Sequence, residues 1–121
     1  MPEPGQLTAT SVAQHLLTLS RQLDEVTTAL NAKDLEATEL AEEAKVAEAK
    51  AFVRAEGSVD LRKNLAIIDT HQVRLAAKVA EATVRGLIRT VRTLQSRIDV
   101  GRSHGATVRA ETQLAGHSGG V

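Results

Sequence analysis

Between Gln6 and Glu56 the chain has neither glycine nor proline, and aliphatic residues return every three or four positions, the spacing of a helical packing seam. Leu16, Leu23, Leu30, Ala37, Ala44 and Ala51 hold one heptad position, and Leu19, Val26, Lys33, Leu40, Ala47 and Arg54 hold the other. The pattern predicts a helix over about residues 10–56, opened near Thr8 or Ser11, whose hydroxyls accept bonds from first-turn amides. At about 1.5 Å per residue such a helix is roughly 70 Å long, and it cannot bury its own stripe. It needs a helical partner. After Leu30 the seam changes from Leu and Val to mainly Ala, which lets helices approach more closely. Lys33 and Arg54 interrupt the apolar seam, as side chains that snorkel to its rim or as determinants of register.

Gly57 and Ser58 mark the turn: Gly57 suits a left-handed closing residue, Ser58 a cap, and Asp60 complements the positive end of the next helix. A second helix is expected over about 59–100. It carries one stripe of Leu61, Leu65, Ile68, Leu75, Val79 and Ala82, and an offset one of Val84, Leu87, Val91, Leu94 and Ile98. The offset predicts a bend, a change of packing partner or a close backbone approach at Gly86. Gly-Arg-Ser-His-Gly from Gly101 is expected to end this helix, with a short helix over 106–114 and a disordered tail over 116–121. The fold class is all-α: a long, coiled-coil-like two-helix hairpin with a short C-terminal helix, in one domain over 1–115.

Composition narrows the function. The chain has 121 residues, one Phe, no Trp, no Tyr and no Cys, which leaves few bulky core formers and rules out disulfides and thiolate metal sites. No signal peptide pattern is seen at the start, and no apolar run reaches the ~20 residues of a membrane span, so a cytoplasmic, membrane-free setting is expected. Formal charge is zero overall, yet residues 1–50 hold nine acids and four bases and residues 51–121 eleven bases and six acids. An acidic arm is joined to a basic one. Either the arms pair, within or between chains, or the basic arm holds a polyanion.

On the second helix Arg85, Arg89 and Arg92 fall on one face, opposite the stripe of Leu87, Val91, Leu94 and Ile98. Arg74 and Lys78 extend it, and Arg97, Arg102 and Arg109 carry the positive field further along the chain. Such a face suits phosphate binding by counterion release, although solvated basic faces are common on helical pairs. The lack of Tyr and Trp leaves Phe52 as the single platform for a stacked base. Leu16, Leu19, Leu23, Val26, Leu30, Leu87, Val91, Leu94 and Ile98 are the candidate oligomerisation residues.

Signals of catalysis are poor. Gly116, Ser118 and Gly120 match the spacing of a nucleophile elbow, but that elbow requires a preceding strand and none is expected. His15, His71, His104 and His117 show no helical metal-site spacing, and Glu42 and Glu43 point to different azimuths. No phosphate loop or dinucleotide fingerprint occurs. No catalytic residue, metal or cofactor is assigned.

Two segments, Ala49 to Lys63 (AKAFVRAEGSVDLRK) and Leu94 to Glu111 (LQSRIDVGRSHGATVRAE), resemble the small phage recombination mediators of the UvsY type. The likeness covers roughly residues 45–112. It implies a non-catalytic homo-oligomer that binds single-stranded DNA and helps load a RecA-like recombinase onto strands covered by a single-strand-binding protein. By position, Lys50, Arg54, Arg62 and Lys63 then correspond to the family's basic DNA-contacting region. The chain departs from the family in its few aromatics and its acidic first arm. The alternatives are a structural or scaffolding coiled coil of a phage particle, with charges paired between subunits, and an adaptor that offers an amphipathic helix to a host protein.

Overall fold

The computed structural model describes residues 8–119, which form three helices: α1 (Ala9–Arg54), α2 (Val59–Asp69) and α3 (His71–Gly119). No strand occurs among the described residues, and none of these helices is long and apolar enough to cross a membrane. Chain contacts define two compact units: unit 1 joins Met1–Thr27 with Arg89–Val121, and unit 2 is Thr28–Ile88.

Helix α1 starts as its polar residues dictate. The Thr8 Oγ1 accepts from the Ser11 amide at 3.1 Å, and the Ser11 Oγ accepts from the Thr8 amide at 3.0 Å. This is a reciprocal capping box with serine at the position usually held by Glu or Gln.

In unit 1 the first turns of α1 run antiparallel to the later part of α3. Leu19, Leu94 and Ile98 are buried together, with Leu16, Leu23 and Val26 packed around them, and Val12 is buried one heptad earlier than Leu19. Beyond Ile98 the α3 seam continues in the same heptad through Gly101, Gly105 and Val108. A Cβ at Gly101 would lie 2.8 Å from Leu16 Cδ2, and one at Gly105 would lie 3.1 Å from Val12 Cγ1. The glycines therefore sit where the helices close on each other, and the contact offsets the ~1 kcal/mol that each costs in helix propensity. This corrects the expectation that Gly101 to Gly105 ends the helix. The separate helix expected over 106–114 is part of α3, and of the tail expected over 116–121, residues 116–119 continue α3 while the last two lie outside the described residues.

Unit 2 is a helical hairpin made of α1 from Thr28 onward, the connection 55–58, α2 and the start of α3. Gly57 takes φ +119, in the left-handed region, and a Cβ there would meet Leu61 Cδ2 at 2.7 Å. Ser58 caps α2 by accepting from the Leu61 amide at 3.2 Å, and Asp60 lies in the first turn. These features follow the sequence reading, with α1 ending at Arg54 two residues before the expected boundary.

The second helix departs from expectation at Thr70. Its buried Oγ1 donates to the Ala66 carbonyl at 2.7 Å, the same oxygen that accepts the Thr70 amide at 3.1 Å. The break itself lies in the Thr70 backbone, at φ −105, ψ 15; Thr18, Thr38, Thr83, Thr93, Thr107 and Thr112 make the same back-bond within uninterrupted helix, so the hydroxyl alone does not separate α2 from α3. α3 then passes through Gly86 without interruption. The offset between stripes has another cause. The inward heptad of α2 and α3 in unit 2 is Ala66, Thr70, Val73, Ala77, Ala80 and Val84, all buried or half-buried. Leu61, Leu65, Ile68, Leu75 and Val79 point away from it and are exposed. Against the inward heptad, α1 presents Ala37, Ala44 and Ala51, each buried.

The residues assigned to an interface between copies are thus largely covered within the chain. Leu19, Leu94 and Ile98 are buried, and Leu16, Leu23, Val26, Leu30, Leu87 and Val91 are half-buried. A heptad seam states that a helix partner exists but not whether it belongs to the same chain.

Candidate nucleic-acid interface

The basic residues around the turn diverge in space. Lys50 and Arg54 line a groove of about 790 Å³ in unit 2 together with Glu39, Glu42, Glu43 and Asp69. That acidic surround disfavours a phosphate. Arg62 is committed to the fold: its Nε and one terminal nitrogen donate to the Phe52 carbonyl at 3.3 and 3.1 Å, and its guanidinium lies 4.3 Å from the Phe52 ring centroid. The pair fastens the start of α2 to the end of α1, where the Phe52 carbonyl also receives the Ala55 amide at 3.3 Å. Phe52 is half-buried under the arginine, so one face of the single aromatic ring is occupied. Lys63 is exposed. Of the four turn residues, Lys63 alone is both open to solvent and outside the acidic groove.

The α3 residues keep the arrangement read from the sequence. Arg85, Arg89 and Arg92 are exposed, while Val84, Leu87 and Val91 are half-buried and Leu94 is buried. At about 100° per residue, Arg92 and Arg89 lie roughly 160° and 220° around the helix from Leu94, so the arginines stand behind the seam. Among the described residues none of the three joins an ion pair. Arg102 sits about 80° from Leu94 and is exposed on the flank, apart from that face.

The acidic and basic arms pair little. Lys33 and Glu36, 2.9 Å apart, belong to one helix, and the single ion pair between arms among the described residues is Arg74 with Glu48 at 3.7 Å. Both pairs are partly solvated, where such contacts contribute about 0–1 kcal/mol. Intrachain pairing therefore leaves most of the charge asymmetry unabsorbed.

One juxtaposition escaped sequence reasoning. His15 and His104 line the same unit 1 cavity of about 390 Å³, with Ser96 and Arg97. The signal for it was the antiparallel register, which the tight glycines at 101 and 105 fix once Leu16 and Val12 are recognised as their partners. No group of three or more metal-binding side chains forms among the described residues. Gly116 and Ser118 lie within α3 rather than at a turn after a strand, and Gly120 lies outside the described residues.

No family model, curated protein or solved structure matches the chain.

Proposed function

We propose that this chain is a non-catalytic, self-associating helical protein that binds single-stranded DNA through the outer face of α3, as a recombination mediator that helps load a RecA-like recombinase. The observation that carries the reading is the exposed, unpaired row of Arg85, Arg89 and Arg92 behind the packed seam. Three guanidiniums at i, i+4 and i+7 follow one helical face and offer a sequence-independent grip on phosphates. The small number of aromatics makes the contact electrostatic rather than stacked. The mediator role itself comes from the resemblance of Ala49 to Lys63 and Leu94 to Glu111 to the UvsY-type proteins, and with it the single-strand-binding protein as a further partner. Arg85, Arg89, Arg92 and Lys63 are the leading DNA contacts, with Arg102 at the flank; Lys50, Arg54 and Arg62 move behind them.

The scaffolding reading draws on a different observation, the open apolar stripe of unit 2, which calls for a helical partner and needs no DNA contact. Fluorescence anisotropy of a labelled oligo-dT at roughly 50 and 200 mM salt separates the two. Each phosphate neutralised on a single strand contributes about 0.7 to the slope of log affinity against log salt. Replacing Arg85, Arg89 and Arg92 together by Ala is expected to lower affinity at least tenfold and to flatten the slope by about 2 with helicity unchanged. Unaltered binding would remove this face from the account, and absence of binding by the wild-type chain at low salt would leave the scaffold.

A further inference from the structure

We infer that the open stripe of unit 2 is the seat of a second copy of this chain, packed parallel and in register along α2 and the start of α3. The inference rests on the self-association in the reading above and shares only Arg85 with its DNA contact.

Leu61, Leu65, Ile68, Gln72, Leu75 and Val79 follow each other at spacings of four and three residues across the Thr70 break, an unbroken heptad seam. It is a second seam, distinct from the inward one, because Ile68 lies two residues from both Ala66 and Thr70 and so about 160° around the helix from each. Ile68 is 71% and Val79 57% exposed, and Leu61, Leu65 and Leu75 are between 40 and 49%. A helix with apolar heptads on two faces is built to lie between two partners, and α1 supplies one. With Val46 at the edge, these side chains leave on the order of 500 Å² of apolar surface open, comparable to the largest patch on a typical monomer, about 300–600 Å², and most of the ~800 Å² per partner of a stable interface.

Charge selects the occupant and its direction. One edge of the stripe borders α1 along two grooves: the one that holds Gln72 is lined by Glu39, Glu42, Glu43 and Asp69 against Lys50 and Arg54, and the one that holds Gln72, Leu75 and Val79 is lined by Glu36 with its ion-pair partner Lys33, so this edge is net acidic. The opposite edge carries His71, Lys78 and Arg85 along α3, roughly 80–120° around the helix from the stripe's centre, with Asp60 at the same azimuth at the start of α2, and Arg74 beyond them pairs with Glu48 of α1. Along the start of α3 the face thus reads net acidic, apolar, basic. A two-fold axis parallel to the helices sets the acidic edge of each copy against the basic edge of the other, whereas an antiparallel pairing would set acid against acid. In the parallel register like positions meet: Leu with Leu, Ile68 with Ile68 of the partner, and Gln72 with its equivalent. A polar pair inside an apolar seam specifies register, since amides that meet bond and amides that slip are buried unpaired.

The chain has no cysteine, so a single introduced thiol reports one contact. Multi-angle light scattering on the full chain tests self-association, and Gln72→Cys under mild oxidation tests the register. The expected result is a wild-type mass at least double the 12.9 kDa of one chain, a fall to the single-chain mass for Ile68→Glu/Leu75→Glu with unchanged circular dichroism, and a disulfide-linked Gln72→Cys dimer. Leu17→Cys, exposed in unit 1, is expected to stay uncrosslinked. A wild-type chain that is monomeric at all concentrations overturns both this inference and the self-association it rests on. An oligomer untouched by the double glutamate overturns this surface alone, and an associating Gln72→Cys chain that fails to link overturns the parallel register even if the glutamate variant does not fold.

Discussion

The two units solve the packing of one helical pair in opposite ways. In unit 1 the buried side chains are Val12, Leu19, Leu94 and Ile98, whereas in unit 2 they are Ala37, Ala44, Ala51, Ala66 and Ala77 with Thr70. Burying a Val, Leu or Ile contributes about 1.5–3 kcal/mol, and an alanine methyl a fraction of that. Unit 1 therefore gains its stability from its own seam and keeps glycines where the backbones meet. Unit 2 brings helices together over methyl groups and leaves its larger apolar residues, Leu61, Leu65, Ile68, Leu75 and Val79, on the outside. The hydrophobic capacity of the chain is split between an interior and a surface, and the alanine half is the one that gains by a partner.

The largest expected effect of a single change lies in unit 1. Leu94→Ala removes a buried member of the Leu19, Leu94 and Ile98 cluster and is expected to cost about 2–5 kcal/mol, read as a lower midpoint in urea unfolding. A cost under 1 kcal/mol would mean that unit 1 is not the stable half. Next, Ala44→Leu forces a larger side chain into the alanine seam and is expected to cost about 1–3 kcal/mol by overpacking; a gain in stability would show that unit 2 is loosely packed and would weaken the contrast. The smallest effect is at Gly116, where a Cβ meets nothing within 4 Å. Gly116→Ala is expected to add up to about 1 kcal/mol of helix propensity without altering the unit 1 core, seen as increased helicity.

Much of the fold was legible. The run free of glycine and proline gave α1, and Thr8, Ser11, Gly57 and Ser58 gave its ends and the turn, because these features act locally. The inward seam of α1 was legible too, since heptads report it directly. Three features were not. Thr70 ends α2 by its backbone angles, φ −105 and ψ 15, and its residue type does not announce this, because threonines with the same back-bond at Thr83 and Thr93 stay helical. Gly101 and Gly105 read as a helix stop because propensity counts against glycine, whereas the close approach of Leu16 and Val12 decides the matter. That the stripe from Leu61 to Val79 faces outward was not legible, because apolar periodicity does not say which of two seams α1 covers. At the candidate interface the arginines of α3 were legible from azimuth alone. The fate of Arg62, stacked on Phe52, depended on the geometry of a turn.

Amide hydrogen exchange of the full chain at low and high protein concentration tests most directly whether unit 2 is completed from outside. Protection of residues 59–88 is expected to rise with concentration while that of residues 91–108 stays constant. Protection of 59–88 that is independent of concentration, or a rise confined to 91–108, would contradict the division of the chain into a self-sufficient half and a half that awaits its partner.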